Sequence, residues 1–312
     1  MRLFEGYYKG VNLGGWLSQC VHTKEHYDSF INENDIRTLS TWGIDHLRLP
    51  IDYNLVETEN GEYIESGFDY IQNTINWCGK YGLNLVLDLH KTFGYSFDKG
   101  ENESGFFDNK DYQERFIKLW EKFASLYGQY SDRVSFELLN EVTDKEYMPT
   151  WIEVATDCIK RIRKIAPDVN ILIGGYYNNS AESVKDLPMP YDDKIIYNFH
   201  CYDPLIFTHQ GAPWVDDMDV NFRMKFVDSN VTPQFFEDFF KDALDTAIAR
   251  DVPLYCGEYG VIDRCDENEA IMWYQALHSI FEKCKIGHAA WSYKVMDFGI
   301  LERDLIKSEI CK

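Results

Sequence analysis

Residues 46–52 read HLRLPID and residues 84–90 read NLVLDLH, and these two stretches show the pattern that decides the fold. Apolar residues follow one another in both with little polar alternation, which is typical of strands covered on both faces of a parallel sheet. Six further stretches share this character, at residues 9–14, 134–141, 170–175, 195–202, 253–260 and 287–294. The sequence therefore predicts eight buried strands.

Longer amphipathic segments with recognisable helix ends separate the predicted strands. Asn32 and Asn109 are capping residues before two of these segments, and Thr232 followed by Pro233 predicts a third helix that ends near Arg250. Three more helices are predicted to begin at Ser66, Pro149 and Asp266. Strands and helices thus alternate from one end of the chain to the other.

This alternation over 312 residues, without a linker, predicts an α/β fold in which residues 1–312 form a single (β/α)8 TIM barrel domain. An open doubly wound sheet is the alternative, but it usually carries a glycine-rich phosphate loop, and GVNLGG at residues 10–15 is too short for one. The long irregular segment 203–232 follows strand six. Its aromatic content predicts an ordered loop insertion that lines a cleft.

The net charge of −21, from 52 acidic and 31 basic side chains, repels phosphate backbones, so no nucleic-acid partner is expected. No stretch approaches 18 consecutive apolar residues, and no membrane partner is expected. The amino terminus lacks the pattern of a secretory signal, and the eight cysteines are scattered as reduced thiols are. These features predict a cytoplasmic monomer, or a secreted one if a signal has been removed.

Residue types that serve in catalysis collect where the predicted strands end, which is where barrel enzymes place their active sites. Packing alone does not explain so many polar strand ends, because each buried polar atom needs a partner. Read in chain order, the candidates are Arg48, His90, Asn140, Glu141, His200, Tyr202, Glu258 and Trp291.

Glu141 and Glu258 come from strands four and seven, which face each other across an eight-stranded barrel. Glycosidic cleavage uses such a pair, about 5–5.5 Å apart for retention and roughly 6.5–9.5 Å apart for inversion. The sequence leaves both routes open. Arg48 and Tyr202 are placed to keep the nucleophile ionised by hydrogen bonding.

The remaining candidates are residue types that bind sugars. Asn140 is placed to bind a hydroxyl near the reacting carbon, His90 and His200 can bind further hydroxyls, and Trp291 can stack on a sugar ring. In the segment 203–232, Trp214 is either packed in the loop or a sugar platform, and the role of His209 is equally open.

These residues resemble glycoside hydrolase family 5, also called cellulase family A. The resemblance runs along essentially the whole chain, from VNLGGW at residues 11–16 through HLRLP, LDLH, ELLNE, FTHQ and CGEYG to AWSYKVMDF at residues 290–298. The ordered family pattern of Arg, His, Asn-Glu, His-x-Tyr, Glu and Trp is matched at all eight positions. Within the family, the chain is most similar to small clostridial endoglucanases without a signal peptide.

The resemblance implies a retaining double displacement on β-1,4-linked glucans or cello-oligosaccharides, with Glu141 as acid/base, Glu258 as nucleophile, and neither cofactor nor metal. Two departures stand out. Lys91 occupies the position where many cellulases of the family have a second histidine, and the strand-six insertion is shorter than in the clostridial enzymes. The shorter insertion predicts a cleft that differs in length or is closed at one end, and a closed end would favour short oligosaccharides or exo-action.

Several alternatives stay open at this point. The same mechanism could act on β-1,3-glucan, mixed-linkage glucan or mannan, or as an exo-acting β-glucosidase. From other classes, the chain could be a sugar-binding protein that has lost catalysis, or a metal-dependent barrel hydrolase, although neither His90 nor His200 lies in an HxxxH or HxH pattern.

Overall fold

The computed structural model describes residues 1–98 and 100–312, and its centre is a closed barrel of eight parallel strands in chain order. The strands are β1 Lys9–Asn12, β2 His46–Asp52, β3 Asn84–Lys91, β4 Val134–Glu137, β5 Ile171–Ile173, β6 Ile195–Cys201, β7 Leu254–Tyr259 and β8 Gly287–Ala290. The barrel closes where β8 pairs with β1, with Val11 opposite Ala290. The predicted (β/α)8 barrel is confirmed.

Helices follow the strands and surround the barrel. They are α1 Lys24–Phe30, α2 Glu33–Leu39, α3 Glu65–Tyr81, α4 Lys110–Tyr127, α5 Met148–Ile165, the distorted turn α6 Tyr176–Asn179, α7 Leu205–Thr208, α8 Pro233–Phe239, α9 Lys241–Ala249, α10 Glu267–Cys284 and α11 Asp304–Ile310. Short 3-10 turns lie at Tyr53–Leu55, Gly128–Tyr130, Lys145–Tyr147, Ala181–Asp186 and Phe226–Ser229.

The predicted helix caps act through side-chain hydrogen bonds to the first turn. Asn32 forms a capping box with Asp35, and Asn109, Thr232 and Asp266 each accept a backbone N–H of their helix. One predicted helix was wrong in its extent. The segment from Thr232 towards Arg250 forms two consecutive helices, α8 and α9, that meet at Phe240.

The fourth predicted strand was too long, because β4 ends at Glu137 and not at residue 141. Glu141 has a φ of 42°, a left-handed conformation that turns the chain out of the sheet. Register shifts at Phe199/His200 in β6 and between Cys256 and Tyr259 in β7 likewise interrupt regular pairing. Such irregularities change the direction of side chains at the rim of a sheet.

The apolar core has two parts. The larger part lies between the barrel and its helices, and the smaller part fills the barrel interior with Val86, Leu172, Ile196, Tyr255 and Ala289 from five strands. Phe4 and Tyr7, which precede β1, belong to this inner cluster. The inner apolar layer leaves the opposite end of the barrel for polar groups.

Two further observations concern the surface and the thiols. None of the helices in residues 1–98 and 100–312 has the length and apolar character that a membrane span needs. All eight cysteines are free thiols.

Gly67, in the first turn of α3, packs against the backbone of the turn after β2. A Cβ atom there would lie 1.9 Å from the carbonyl oxygen of Leu55, which cannot rotate away. We expect Gly67→Ala to lower the free energy of unfolding by about 3 kcal/mol, the cost of overpacking a rigid contact.

Gly82 provides the matched control for this substitution in a denaturant titration. Its φ of 72° strains any other residue, but a Cβ there meets nothing within 4 Å. Gly82→Ala should therefore cost only about 1 kcal/mol of backbone strain. Equal losses for the two variants would contradict the packing argument.

Candidate active site

Arg48 of β2 is fully buried and pairs with three carboxylates. Its Nε and Nη2 donate to the two oxygens of Glu137 at 2.7 and 2.8 Å, and Nη1 donates to Glu258 Oε1 at 2.7 Å. Nη2 also lies 3.0 Å from Asp88 Oδ2. A buried carboxylate needs such a partner, because burial removes the water that would otherwise stabilise its charge.

Amide side chains complete the hydrogen bonds of this cluster. Asn12 Oδ1 and Asn140 Oδ1 each accept from Arg48 at 2.9 Å, and Asn198 Nδ2 donates to Glu137 Oε1 at 2.7 Å. Asn12 Nδ2 also donates to the carbonyl oxygen of Gly257 at 2.9 Å. The network therefore connects β1, β2, β4, β6 and β7 beneath the barrel mouth.

Sequence reasoning missed part of this network: Asn12, Asp88, Glu137 and Asn198 were not predicted site residues. Each lies within a strand and is completely buried, so its position resembles that of a core residue. The sequence nevertheless contains a pattern from which one of these residues, Asp88, could have been predicted. Asp88 precedes His90 by two residues, which places both side chains on the same face of β3.

Glu258 on β7 receives hydrogen bonds at both of its oxygens. Arg48 donates to Oε1, and the hydroxyl of Tyr202 donates to Oε2 at 3.0 Å. Burial raises the pKa of Tyr202 well above its usual value, so the phenol keeps its proton and remains a donor. Donors from β2 and from the segment after β6 therefore hold both carboxylate oxygens of Glu258.

Glu141 lies after β4 and has no cation of its own. Its Oε1 is 2.8 Å from Nδ1 of His200, and its Oε2 accepts from Nδ2 of Asn178 at 2.9 Å. Burial raises the pKa of Glu141, whereas the amide of Asn178 opposes that shift. Burial also lowers the pKa of His200 to about 4, so its ring is neutral. The neutral ring adds no positive charge beside Glu141, whose protonated form is favoured by burial.

The two glutamates lie close together beside His200. One oxygen of Glu141, one oxygen of Glu258 and Nδ1 of His200 all lie within 4.8 Å of one another. The side chains of Glu141 and Glu258 remain 9% and 6% exposed, whereas those of Arg48 and Glu137 are 0% and 1% exposed. The glutamate pair is thus the part of the cluster that solvent reaches.

His90 and Trp291 form the side of the site next to β3 and β8. Their rings stack at 5.7 Å with an interplanar angle of 5°, and His90 Nδ1 lies 2.7 Å from Asp88 Oδ2. Burial raises the pKa of Asp88 to about 7 and lowers that of His90. His90 Nε2 and Asn140 Nδ2 have no hydrogen-bonding partner in the described part of the chain, so both can still bind a ligand.

The chain matches the family model described as cellulase (glycosyl hydrolase family 5) over residues 7–297. This protein belongs to glycoside hydrolase family 5. It is therefore a glycoside hydrolase, and its substrate is a glycan. The predicted family and enzyme class are confirmed.

Relatives and solved structures agree with this membership. The chain is 53% identical over 278 residues to cellodextrinase A of Ruminococcus flavefaciens, covering 89% of this chain and 83% of the relative. It is 38% identical to endoglucanase C of Acetivibrio thermocellus, covering 95% and 93%. A hyperthermophilic endo-β-1,4-glucanase solved with substrate shares the fold, with a TM-score of 0.84, 22% identity and coverage of 98% and 97%.

An aromatic row leads away from Glu258 in this family 5 hydrolase. The ring of His209 lies 5.2 Å from Tyr202 and 6.5 Å from Trp214. Trp214 is 51% exposed, so the loop does not bury it, and burial lowers the pKa of His209 to about 4. The segment 203–232 thus places one neutral ring beside the site and one exposed indole beyond it.

Lys91, the departure from the family pattern, lies in the wall of the cleft. Its Nζ is 2.8 Å from Oε2 of Glu101 and 5.9 Å from the ring centroid of Tyr53. The carboxylate compensates the lysine charge, and the pair joins the end of β3 to the loop that follows it.

Glu141, His200 and Glu258 also offer three atoms that a metal ion could use. The 2.8 Å separation of His200 Nδ1 and Glu141 Oε1 is a hydrogen-bond distance. Two ligands at about 2.0–2.1 Å from a tetrahedral Zn²⁺ lie farther apart than that, so the site would have to widen. The described arrangement fits a proton-transferring group better than a metal centre.

Replacing Arg48 by lysine keeps a positive charge but removes the planar fork that joins Glu137, Glu258 and Asp88. We expect Arg48→Lys to lower the free energy of unfolding by about 3 kcal/mol or more, because buried carboxylates lose their partner. Chemical denaturation followed by circular dichroism measures the loss.

Arg161 is the matched control for this change. It also donates to two carboxylates, Glu114 and Glu121, but all three side chains are partly exposed on outer helices. Arg161→Lys should cost less than about 1 kcal/mol, because water replaces the lost contacts. A comparable cost for both variants would refute the special role of the buried cluster.

Proposed function

We propose that this enzyme hydrolyses β-1,4-glucosidic bonds in cello-oligosaccharides and β-glucans with retention of configuration, using Glu141 as acid/base and Glu258 as nucleophile. The observation that carries the proposal is the spacing of the glutamates, whose nearest oxygens lie within 4.8 Å. This spacing fits the roughly 5–5.5 Å of retaining enzymes and is too short for the water that inverting enzymes place between their carboxylates.

The different surroundings of the two glutamates support the assignment of roles. Glu258 is held by Arg48 and Tyr202, which favour its charge, so it is suited to attack the anomeric carbon. Glu141 has a raised pKa, so it is suited to protonate the leaving oxygen as the bond breaks. In the second step the ionised Glu141 takes a proton from water, which attacks the anomeric carbon and releases Glu258.

The chemistry of the walls and the named relatives support the choice of substrate. Trp291 and Trp214 offer flat surfaces for sugar rings, and His90 Nε2 and Asn140 Nδ2 offer unused polar atoms for hydroxyls. The relatives are named cellodextrinase A and endoglucanase C, and both are similar to this chain over most of their length. Short cellodextrins are therefore the substrates proposed first.

Replacing Glu258 by glutamine removes the nucleophile and keeps the shape of the side chain. We expect Glu258→Gln to reduce kcat on cellotetraose by at least about 1000-fold with an unchanged circular dichroism spectrum. Glu282→Gln, at the exposed end of α10, is the control and should keep full activity. Activity retained by Glu258→Gln would exclude the proposed nucleophile.

The stereochemistry of the wild-type reaction tests the mechanism directly. Proton NMR of the first turnovers on cellotetraose should show the β-anomer before mutarotation, because two displacements retain configuration. An α-anomer as first product would require the inverting route and would overturn the double displacement.

A panel of oligosaccharides tests the linkage and the sugar. We expect kcat/KM for cello-oligosaccharides to exceed that for laminari- and manno-oligosaccharides of equal length by at least about tenfold. Polar groups that hydrogen-bond the hydroxyls of one sugar stay unpaired when another sugar places its hydroxyls elsewhere. The same rates should be obtained with a metal chelator present. A preference for β-1,3-glucan or mannan would replace the proposed substrate, and no turnover of any substrate would indicate a sugar-binding protein.

A further inference from the structure

Asn178 contacts Glu141 although it lies outside the eight-residue pattern that the sequence matches. Its Nδ2 donates to Glu141 Oε2 at 2.9 Å, while His200 Nδ1 lies 2.8 Å from Oε1. Asn178 is exposed and His200 is buried, so the two partners hold the carboxyl group from the solvent side and from the barrel side.

The backbone around Asn178 is fastened to the segment that carries Glu141. The N–H groups of Tyr177 and Asn178 donate to the carbonyl oxygens of Thr143 and Val142, each at 3.0 Å. Both acceptors follow Glu141 directly in the chain. The loop after β5 and the loop after β4 therefore keep a fixed relation to each other at this point.

This attachment requires an uncommon backbone. Tyr177, Asn178 and Asn179 have φ values of 51°, 57° and 54°, three consecutive residues in the left-handed region. Such conformations cost free energy and persist only where the surroundings impose them. Asparagine tolerates this region better than most residues, so the position can present an amide at little cost.

We propose that Asn178 is a positioning residue for Glu141, and that its amide fixes the plane in which the carboxyl group faces the substrate. The inference rests on the proposed function, in which Glu141 is the acid/base. A carboxylate has about four lone-pair sites on two oxygens. With one site on each oxygen directed at a protein partner, one further site on each oxygen remains, and both remaining sites have fixed directions along which a proton can be transferred.

The same hydrogen bond influences when Glu141 is protonated. Burial raises the pKa of Glu141, and the Asn178 donor lowers it because the donor stabilises the carboxylate. Loss of the amide therefore raises the pKa further and moves the alkaline limb of kcat/KM to higher pH. The other titratable or charged groups around Glu141 are Arg48, Asp88, His90, Tyr95, His200, Tyr202 and Glu258.

The first experiment measures the pKa of Glu141 itself, by carbon-13 NMR titration of protein labelled at glutamate carboxyl carbons and assigned with Glu141→Gln. Asn178→Gly removes the amide without backbone strain, and we expect it to raise this pKa by about one unit, the worth of a hydrogen bond to a charged group. Asn178→Asp should raise it more, because it places a second negative charge beside the first.

Lys285→Gly is the matched control, because Lys285 is also exposed with a φ of 56° but follows α10 at the opposite end of the barrel. It should leave the pKa of Glu141 unchanged. An unshifted pKa in both Asn178 variants would overturn the proposal. The titration needs no substrate, so its result is separate from the test of the proposed function.

The second experiment compares aryl β-cellobiosides whose phenols differ in acidity. A dinitrophenolate leaves without a proton, whereas phenol needs one, so only the phenyl substrate depends on a well-positioned acid. We expect Asn178→Gly to lose at least about tenfold in kcat/KM on phenyl cellobioside and less than about twofold on the dinitrophenyl substrate. An equal loss on both would show a merely structural role and refute positioning.

Discussion

The buried guanidinium of Arg48 is the constraint on which the active end of the barrel depends. It carries one positive charge and lies within hydrogen-bonding distance of Glu137, Glu258 and Asp88. Removal of one partner from such a cluster leaves a buried charge without compensation, which costs far more than the pair gains over water. The strands β2, β3, β4 and β7 must therefore keep their relative positions for the cluster to be satisfied.

This arrangement also separates the properties of two chemically identical side chains. Glu258 is within reach of the guanidinium and of a phenol that keeps its proton, whereas Glu141 is held by a neutral ring and an amide. The two carboxyl groups lie close together but differ in charge compensation, and the proposed roles, attack for Glu258 and proton transfer for Glu141, rest on that difference. The proposed roles thus depend on the groups that surround each glutamate, because the two side chains are chemically identical.

The sequence predicted the barrel and the composition of its rim because both depend on local patterns. Continuous apolar runs identified the strands, and polar residues at their ends identified Arg48, His200 and Tyr202 near Glu141 and Glu258. It did not predict where β4 ends, since Leu138 and Leu139 continue the apolar run past Glu137 and the residue type of Glu141 gives no sign of its left-handed φ of 42°. The sequence is ambiguous at Asn178, because asparagine is a common turn residue and the same side chain can also donate a hydrogen bond to a carboxylate.

The apolar layer below the site determines from which end of the barrel substrate and water enter and product leaves. Phe4 and Tyr7 join residues from five strands in an apolar layer that fills one end of the barrel interior, so ligands approach the glutamates from the opposite end. In the proposed double displacement, the sugar, the departing product and the hydrolytic water therefore share one entrance. The water of the second step thus enters from the same end by which the first product leaves.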